Sequence, residues 1–319
     1  MTSGFPSLEA PPGHAYPGFA TGFVPGTAKS PEGMETMLNT LARGLRGLAI
    51  AACGAALLAV PAASPAEAQT RPAVRDLGPE APASAIFIGN SFFYYNNGIT
   101  NHVAGLLRAA EQPQRLRATL VGIGGSNMQW HDVNSYFRPN AVGSYGFDAR
   151  NNIIFNPPGQ RLFDIAIMMD CSLCPVHPQL SPVFVDYAKR HSETVRGHGA
   201  QPVFFMSWAY KDKPEMTAPL AEAYTTVGNA NNALVIPAGL AFARSVAERP
   251  ALDLYVADLR HPSLAGTYLA AATTYAALFG RTPEGNVYTA GLDADTVAHL
   301  QRVAWQTVRE YYGTQRAAN

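Results

Sequence analysis

Residues Ile86–Gly98 read IFIGNSFFYYNNG. A short apolar run ends at Gly89-Asn90-Ser91, and a polar, aromatic stretch follows. An apolar run of that length, bounded by turn residues, is consistent with a buried strand. Ser91 then stands where the strand opens into a loop. Asn and Ser in such places commonly cap helices or close turns. A serine there is also a candidate nucleophile, provided that the chain supplies a base, an orienter and oxyanion donors.

Working outward, apolar residues recur at Ile99, Val103, Leu106, Leu107 and Ala110, the spacing of a helix. Leu116–Ile123 reads as a second strand and ends at Gly124-Gly125-Ser126. Leu162–Met169, Pro202–Trp208 and Ala233–Pro237 are three further apolar runs. Helical spacing falls at Val183–His198, Ala218–Val227, Ala238–Glu248 and Pro262–Phe279, and again at Val297, Leu300, Ala304, Val308 and Tyr311. Asn127–Gln160 is long and polar with no sustained period, the mark of a functional loop or an insertion. Alternating strands and helices imply an α/β fold, a parallel sheet with helices on both faces. Ligands of such sheets bind beyond the carboxyl ends of the strands. Ser91, Gly125 and Asp170–Ser172 each follow a strand and so belong to one edge.

Arg43 and Arg46 precede the apolar run Leu48–Val60, and Ala66 and Ala68 form an A-x-A site. That is the pattern of a signal peptide over residues 34–68, cleaved after Ala68, with the start at Met34 or Met37 and residues 1–33 either outside the natural chain or disordered. Ile50-Ala51-Ala52-Cys53 offers a lipoprotein-type alternative, but the apolar run continues past the cysteine. The 13-residue run is short for a membrane span. Residues 69–84, rich in Pro and Ala, read as an extended lead-in to one domain over 85–315. Beyond residue 68 there are 20 basic and 19 acidic side chains, which argues against nucleic acid or an anionic surface as partner. The expected location is periplasmic or secreted.

Near the other end, Ala257–Ala271 reads ADLRHPSLAGTYLAA. Asp258 and His261 are spaced so that a short turn brings the carboxylate to the imidazole, fixing its tautomer and leaving the second nitrogen for a hydroxyl. A capping Asp and an ordinary surface His fit D-x-x-H as well. G-N-S after the first strand, Gly-Gly-Ser after the second and D-x-x-H near the end together resemble the SGNH (GDSL-like) hydrolases. The closest likeness is to a branch with IGNSF in front, a central Trp (here Trp208), and LY…D…HPS…GTYLAA at the end. The resemblance spans Ile86–Phe279. It implies a flavodoxin-like three-layer α/β/α sandwich, with Ser91 as nucleophile, His261 as base and Asp258 as its orienter. The backbone N–H groups of Ser91 and Gly125 would form the oxyanion hole, and no metal or cofactor would be required. The family's third donor, an Asn after the third strand, is absent: the strand ends Met169-Asp170-Cys171-Ser172. Ser172, Asn127 and Trp208 are the candidate replacements.

The implied activity is hydrolysis of a small acyl ester, such as O-acetyl groups on carbohydrate. The alternatives are acyl transfer to a sugar hydroxyl, or a weakly active polysaccharide-binding protein on the same fold. His131 is a candidate substrate contact or a loop histidine with a local partner, and His102 is taken as structural. Tyr94, Tyr95, Trp130, Tyr136 and Trp208 suit either a pocket mouth or packing. Cys171 and Cys174, with His177, read as a short disulfide, as free thiols or as part of a zinc site. Export favours the disulfide.

Overall fold

The computed structural model describes residues 70–142, 145–157 and 159–313. The signal-peptide reading, Cys53 and the cleavage site lie outside them. The described elements, in chain order, are β1 (Ser84–Gly89), α1 (Gly98–Arg108), β2 (Arg117–Gly122), α2 (Val133–Tyr136), β3 (Tyr145–Phe147), β4 (Ile153–Phe155) and β5 (Ile165–Met168). They continue with α3 (Ser181–Gly197), β6 (Gln201–Phe205), α4 (Thr217–Ala230), β7 (Leu234–Ile236), α5 (Ala238–Glu248), α6 (Leu264–Phe279) and α7 (Ala294–Tyr312). No helix among the described residues is long and apolar enough to cross a membrane.

β2-β1-β5-β6-β7 form one parallel sheet, in register from Ser84 opposite Arg117 to Phe205 opposite Ile236. Counted along the sheet's own strands the order is 2-1-3-4-5, the flavodoxin-like order. Side chains of a strand alternate between faces. Ala85 and Phe87 accordingly join α1, α5, α6 and α7 on one face, and Ile86 and Ile88 join α2, α3 and α4 on the other. This is the three-layer sandwich expected.

α6 carries much of the first core: Tyr268 and Leu269 are fully buried, and each such side chain stabilises the fold by about 2 kcal/mol. Ser263 caps the helix through Gly266 N–H, and Gly280, at φ +61°, ends it. Pro262 therefore precedes the cap instead of opening the helix. Gly266 has no room for a side chain, since a Cβ would lie 2.3 Å from the Leu254 carbonyl oxygen.

The stretch 127–160 differs from the structureless loop expected. It holds α2 and the antiparallel pair β3–β4, whose Phe147, Ile153, Ile154 and Phe155 are all exposed. Phe137, just before the pair, packs on Phe163 at the entrance to β5.

Candidate active site

Asn90 is the capping residue. Its Oδ1 accepts Phe92 N–H, and its Nδ2 donates to the carbonyls of Ser126 and Asp170, both at 3.1 Å. One amide therefore ties together the loops after β1, β2 and β5. It also relieves Ser91 of the capping task. Ser91 Oγ lies 2.7 Å from His261 Nε2, and His261 Nδ1 lies 2.5 Å from Asp258 Oδ2. Asp258 Oδ1 accepts the N–H groups of Arg260 and His261 at 2.9 Å each, so one carboxylate both closes the turn and orients the ring. Desolvation works to raise the Asp258 carboxyl. The hydrogen bond from the His261 ring and the two backbone N–H groups outweigh it and hold it at about 2.

The His261 turn is held from several sides. The Leu259 carbonyl accepts Lys211 N–H, the Arg260 carbonyl accepts Trp208 Nε1–H, the His261 carbonyl accepts Val256 N–H, and the Pro262 carbonyl accepts Asn96 Nδ2–H. Trp208 is fully buried, stacked between Phe92 (4.5 Å) and Phe242 (4.1 Å). It supports the turn from below, and the expectation that it supplies an oxyanion or substrate contact is corrected: its one N–H is already donated.

On the oxyanion side, Gly125 adopts φ +71°, which favours glycine, and is exposed. Its loop is drawn toward Ser91 by Ile123 N–H and Ser126 Oγ, both on the Gly89 carbonyl. Among the described residues no protein acceptor takes the N–H of Ser91 or of Gly125. Both are free to meet a developing oxyanion.

His131 is buried, with Nε2 on Ser126 Oγ (2.9 Å) and Nδ1 on Tyr136 hydroxyl (3.2 Å). Burial pulls it down to about 4, with the neighbouring His191 adding to the effect. A neutral ring with both nitrogens occupied fixes the loop after β2; the reading of His131 as a substrate contact is corrected. Ser172 Oγ is paired with Tyr210 hydroxyl at 2.8 Å, and so is turned to its neighbour. Asn127 is half-buried between Ser126, tied to Asn90, and Met128, tied to Asp170. Its Oδ1 is buried without a partner, and its Nδ2 has no acceptor in the described chain.

Cys171 and Cys174 are joined as a disulfide. Both sulfurs are then taken, and the cluster they form with Asp170 lacks the thiolates a zinc site needs. Asp170 is almost fully buried, its Oδ1 accepting Met128 and Cys171 N–H. Burial pushes its carboxyl up to about 6 against those two bonds. A raised carboxyl costs the fold stability above that pH and little below the ordinary carboxylate range. Asp170→Asn is therefore expected to raise Tm at about pH 8, the gain shrinking toward zero below about pH 4. Thermal melts across that range check it; a Tm that falls at the higher pH is the refuting result.

Two features escaped the sequence reading. Tyr95 stacks on the His261 ring, and Asn96 grips the Pro262 carbonyl. The clustering of FFYYNN directly behind Ser91 was the available signal.

No family model matches the sequence, and no curated protein matches it. A DUF4886 family protein from Bacteroides uniformis superposes with a TM-score of 0.53 at 18% identity, over 72% of this chain and 96% of that one. A catalytic mutant of an acetylxylan esterase from Geobacillus stearothermophilus gives 0.41 at 16% identity, over 61% and 94%. An alpha/beta hydrolase enzyme from the metagenome of Lake Arreo gives 0.45 at 16%, over 62% and 96%. What the chain shares with the Bacteroides protein is its fold, the flavodoxin-like α/β/α sandwich that the SGNH likeness implied.

Proposed function

We propose that the chain is an exported serine esterase of SGNH type. The observation that carries this is the continuous relay from Ser91 Oγ through His261 to Asp258, at 2.7 and 2.5 Å, beside two undonated N–H groups. Ser91 passes its proton to His261 Nε2 as Oγ attacks the ester carbonyl. The N–H groups of Ser91 and Gly125 hold the oxyanion, and Asn127 Nδ2 supplies the third donor in place of the missing amide after β5. The imidazolium, facing Asp258, protonates the leaving alcohol. Water activated by the same ring then frees the acyl group.

The substrate in this reading is a small acyl ester on a carbohydrate. Tyr94, 42% exposed with its hydroxyl against Gly124, and Trp130, 61% exposed on the loop after β2, offer flat faces on the side of the oxyanion loop. Such faces suit sugar rings. Transfer of the acyl group to a sugar hydroxyl uses the same residues with a different acceptor. Asp170, an acceptor where the family has a donor, favours the reading of slow turnover.

A fluorophosphonate probe should label the protein once, at Ser91, and a chromogenic acetyl ester should be hydrolysed. Label retained in Ser91→Ala, or no turnover of acetyl or propionyl esters by protein that binds the probe elsewhere, rejects the proposal.

A further inference from the structure

We infer that Tyr95 is a positioning residue for His261, holding the ring in line and stabilising its protonated form; the inference rests on the esterase reading. The two rings are stacked, with centroids 4.1 Å apart and planes 10° from parallel. Phe92 meets the same imidazole edge-on, centroids 5.4 Å apart at 77°. His261 is thus fixed at Nε2 by Ser91, at Nδ1 by Asp258, on one face by Tyr95 and at an edge by Phe92.

Tyr95 is itself anchored. Its N–H donates to the Ser91 carbonyl at 3.3 Å, and its own carbonyl accepts Gly98 N–H at 2.9 Å and Thr267 Oγ1 at 3.4 Å. The next residue, Asn96, joins this loop to the His261 turn through Pro262, and His102 Nε2 bonds the Asn96 carbonyl at 2.8 Å. The loop that presents the nucleophile therefore also presents the plate on which the base rests. Ser91 and Tyr95 are four residues apart, so any shift of one carries the other.

The chemistry favours the cationic ring. The face of a phenol ring carries negative potential, and a cation above it is attracted. In the esterase reading the His261 ring gains positive charge as it takes the Ser91 proton. Stacking thus contributes more to the transition state than to the ground state, which is the condition for raising kcat. The ring nitrogens meet Ser91 Oγ and the Asp258 carboxylate, and the phenol of Tyr95 lies on the ring face. Arg260, the neighbouring cation, has its guanidinium over Tyr210 at 4.7 Å.

Tyr95→Leu removes the π face and keeps an apolar side chain. It is expected to lower kcat by about tenfold with KM little changed. It should also move the acid limb of the pH–rate profile to lower pH, because the imidazolium loses a partner. Tyr95→Phe keeps the face and should stay within about twofold of wild type. A second measurement needs no turnover. The His261 ring-proton resonance, assigned by its loss in His261→Gln, should lie upfield in wild type and move downfield in Tyr95→Leu, with a lower titration midpoint. Unchanged kcat, acid limb and resonance in Tyr95→Leu overturn the inference; so does Tyr95→Phe as impaired as Tyr95→Leu. If wild-type protein hydrolyses no ester, the esterase reading falls, while the resonance and its midpoint still decide whether Tyr95 acts on His261. Should Tyr95→Leu fail to fold, the upfield position in wild type and Tyr95→Phe decides: a resonance at its ordinary position rejects the stack.

Discussion

Replacing Ser91 with Ala should reduce kcat by roughly a hundred-thousandfold or more, and His261→Ala should do nearly the same. The two atoms are 2.7 Å apart, and in the proposed mechanism they share a single proton transfer, so neither retains its task alone. The double variant should consequently be no slower than either single one, a strongly non-additive outcome. Substrate binding should change little, because neither side chain supports the sheet: Ser91 is half-buried at a loop, and Asn90 keeps the cap. Steady-state kinetics on a chromogenic acetyl ester, with Tm measured alongside, checks this. Near-wild-type turnover in His261→Ala would end the triad reading, and additive losses would separate the two residues.

Asp258→Asn should cost about 10^4-fold in kcat with the fold intact. The amide oxygen can still accept the Arg260 and His261 N–H groups, so the turn persists. Opposite His261 Nδ1, however, an amide nitrogen now donates where a carboxylate accepted. The imidazole is forced to the wrong tautomer, with Nε2–H facing the nucleophile. Asp258→Ala should lose activity as deeply and also soften the turn. The pH behaviour follows from the carboxyl being held at about 2. A lowered carboxylate keeps its contribution above the ordinary carboxylate range and loses it only as pH falls through about 2. Asp258 is therefore not expected to set the acid limb of the wild-type profile over the working range. An Asp258→Asn rate within about tenfold of wild type would show that the ring needs no orienter.

Much of this arrangement was legible before any coordinates. The sheet strands announce themselves as short apolar runs, and strand-then-helix repetition leaves few topologies. Ser91 and the Asp258–His261 spacing are local features, readable within a few residues. The errors share a different cause. Trp208 and His131 looked like pocket residues because each follows a strand. Their burial depends on Phe242 and Arg260 in one case, and on the fold of the loop back to Ser126 in the other. Tyr95 was read as pocket mouth or packing because its partner is 166 positions away. The hairpin β3–β4 was missed because its apolar side chains are exposed, so no burial pattern marked it. What periodicity cannot show is which side chain meets a distant one.

The clasped turn around His261 also bears on how the protein assembles. Its partners lie far apart along the chain: Ser91 and His261 are separated by 170 residues, Asn96 and Pro262 by 166. Closing so long a loop costs entropy before its contacts repay it, so such pairings are expected to form late in folding. The sheet can order from β1 to β7 while the serine still has no base. A ribosome-bound or truncated chain that stops short of residue 261 carries a nucleophile-bearing loop but no relay. In this chain the proposed relay can form only once residue 261 is in place.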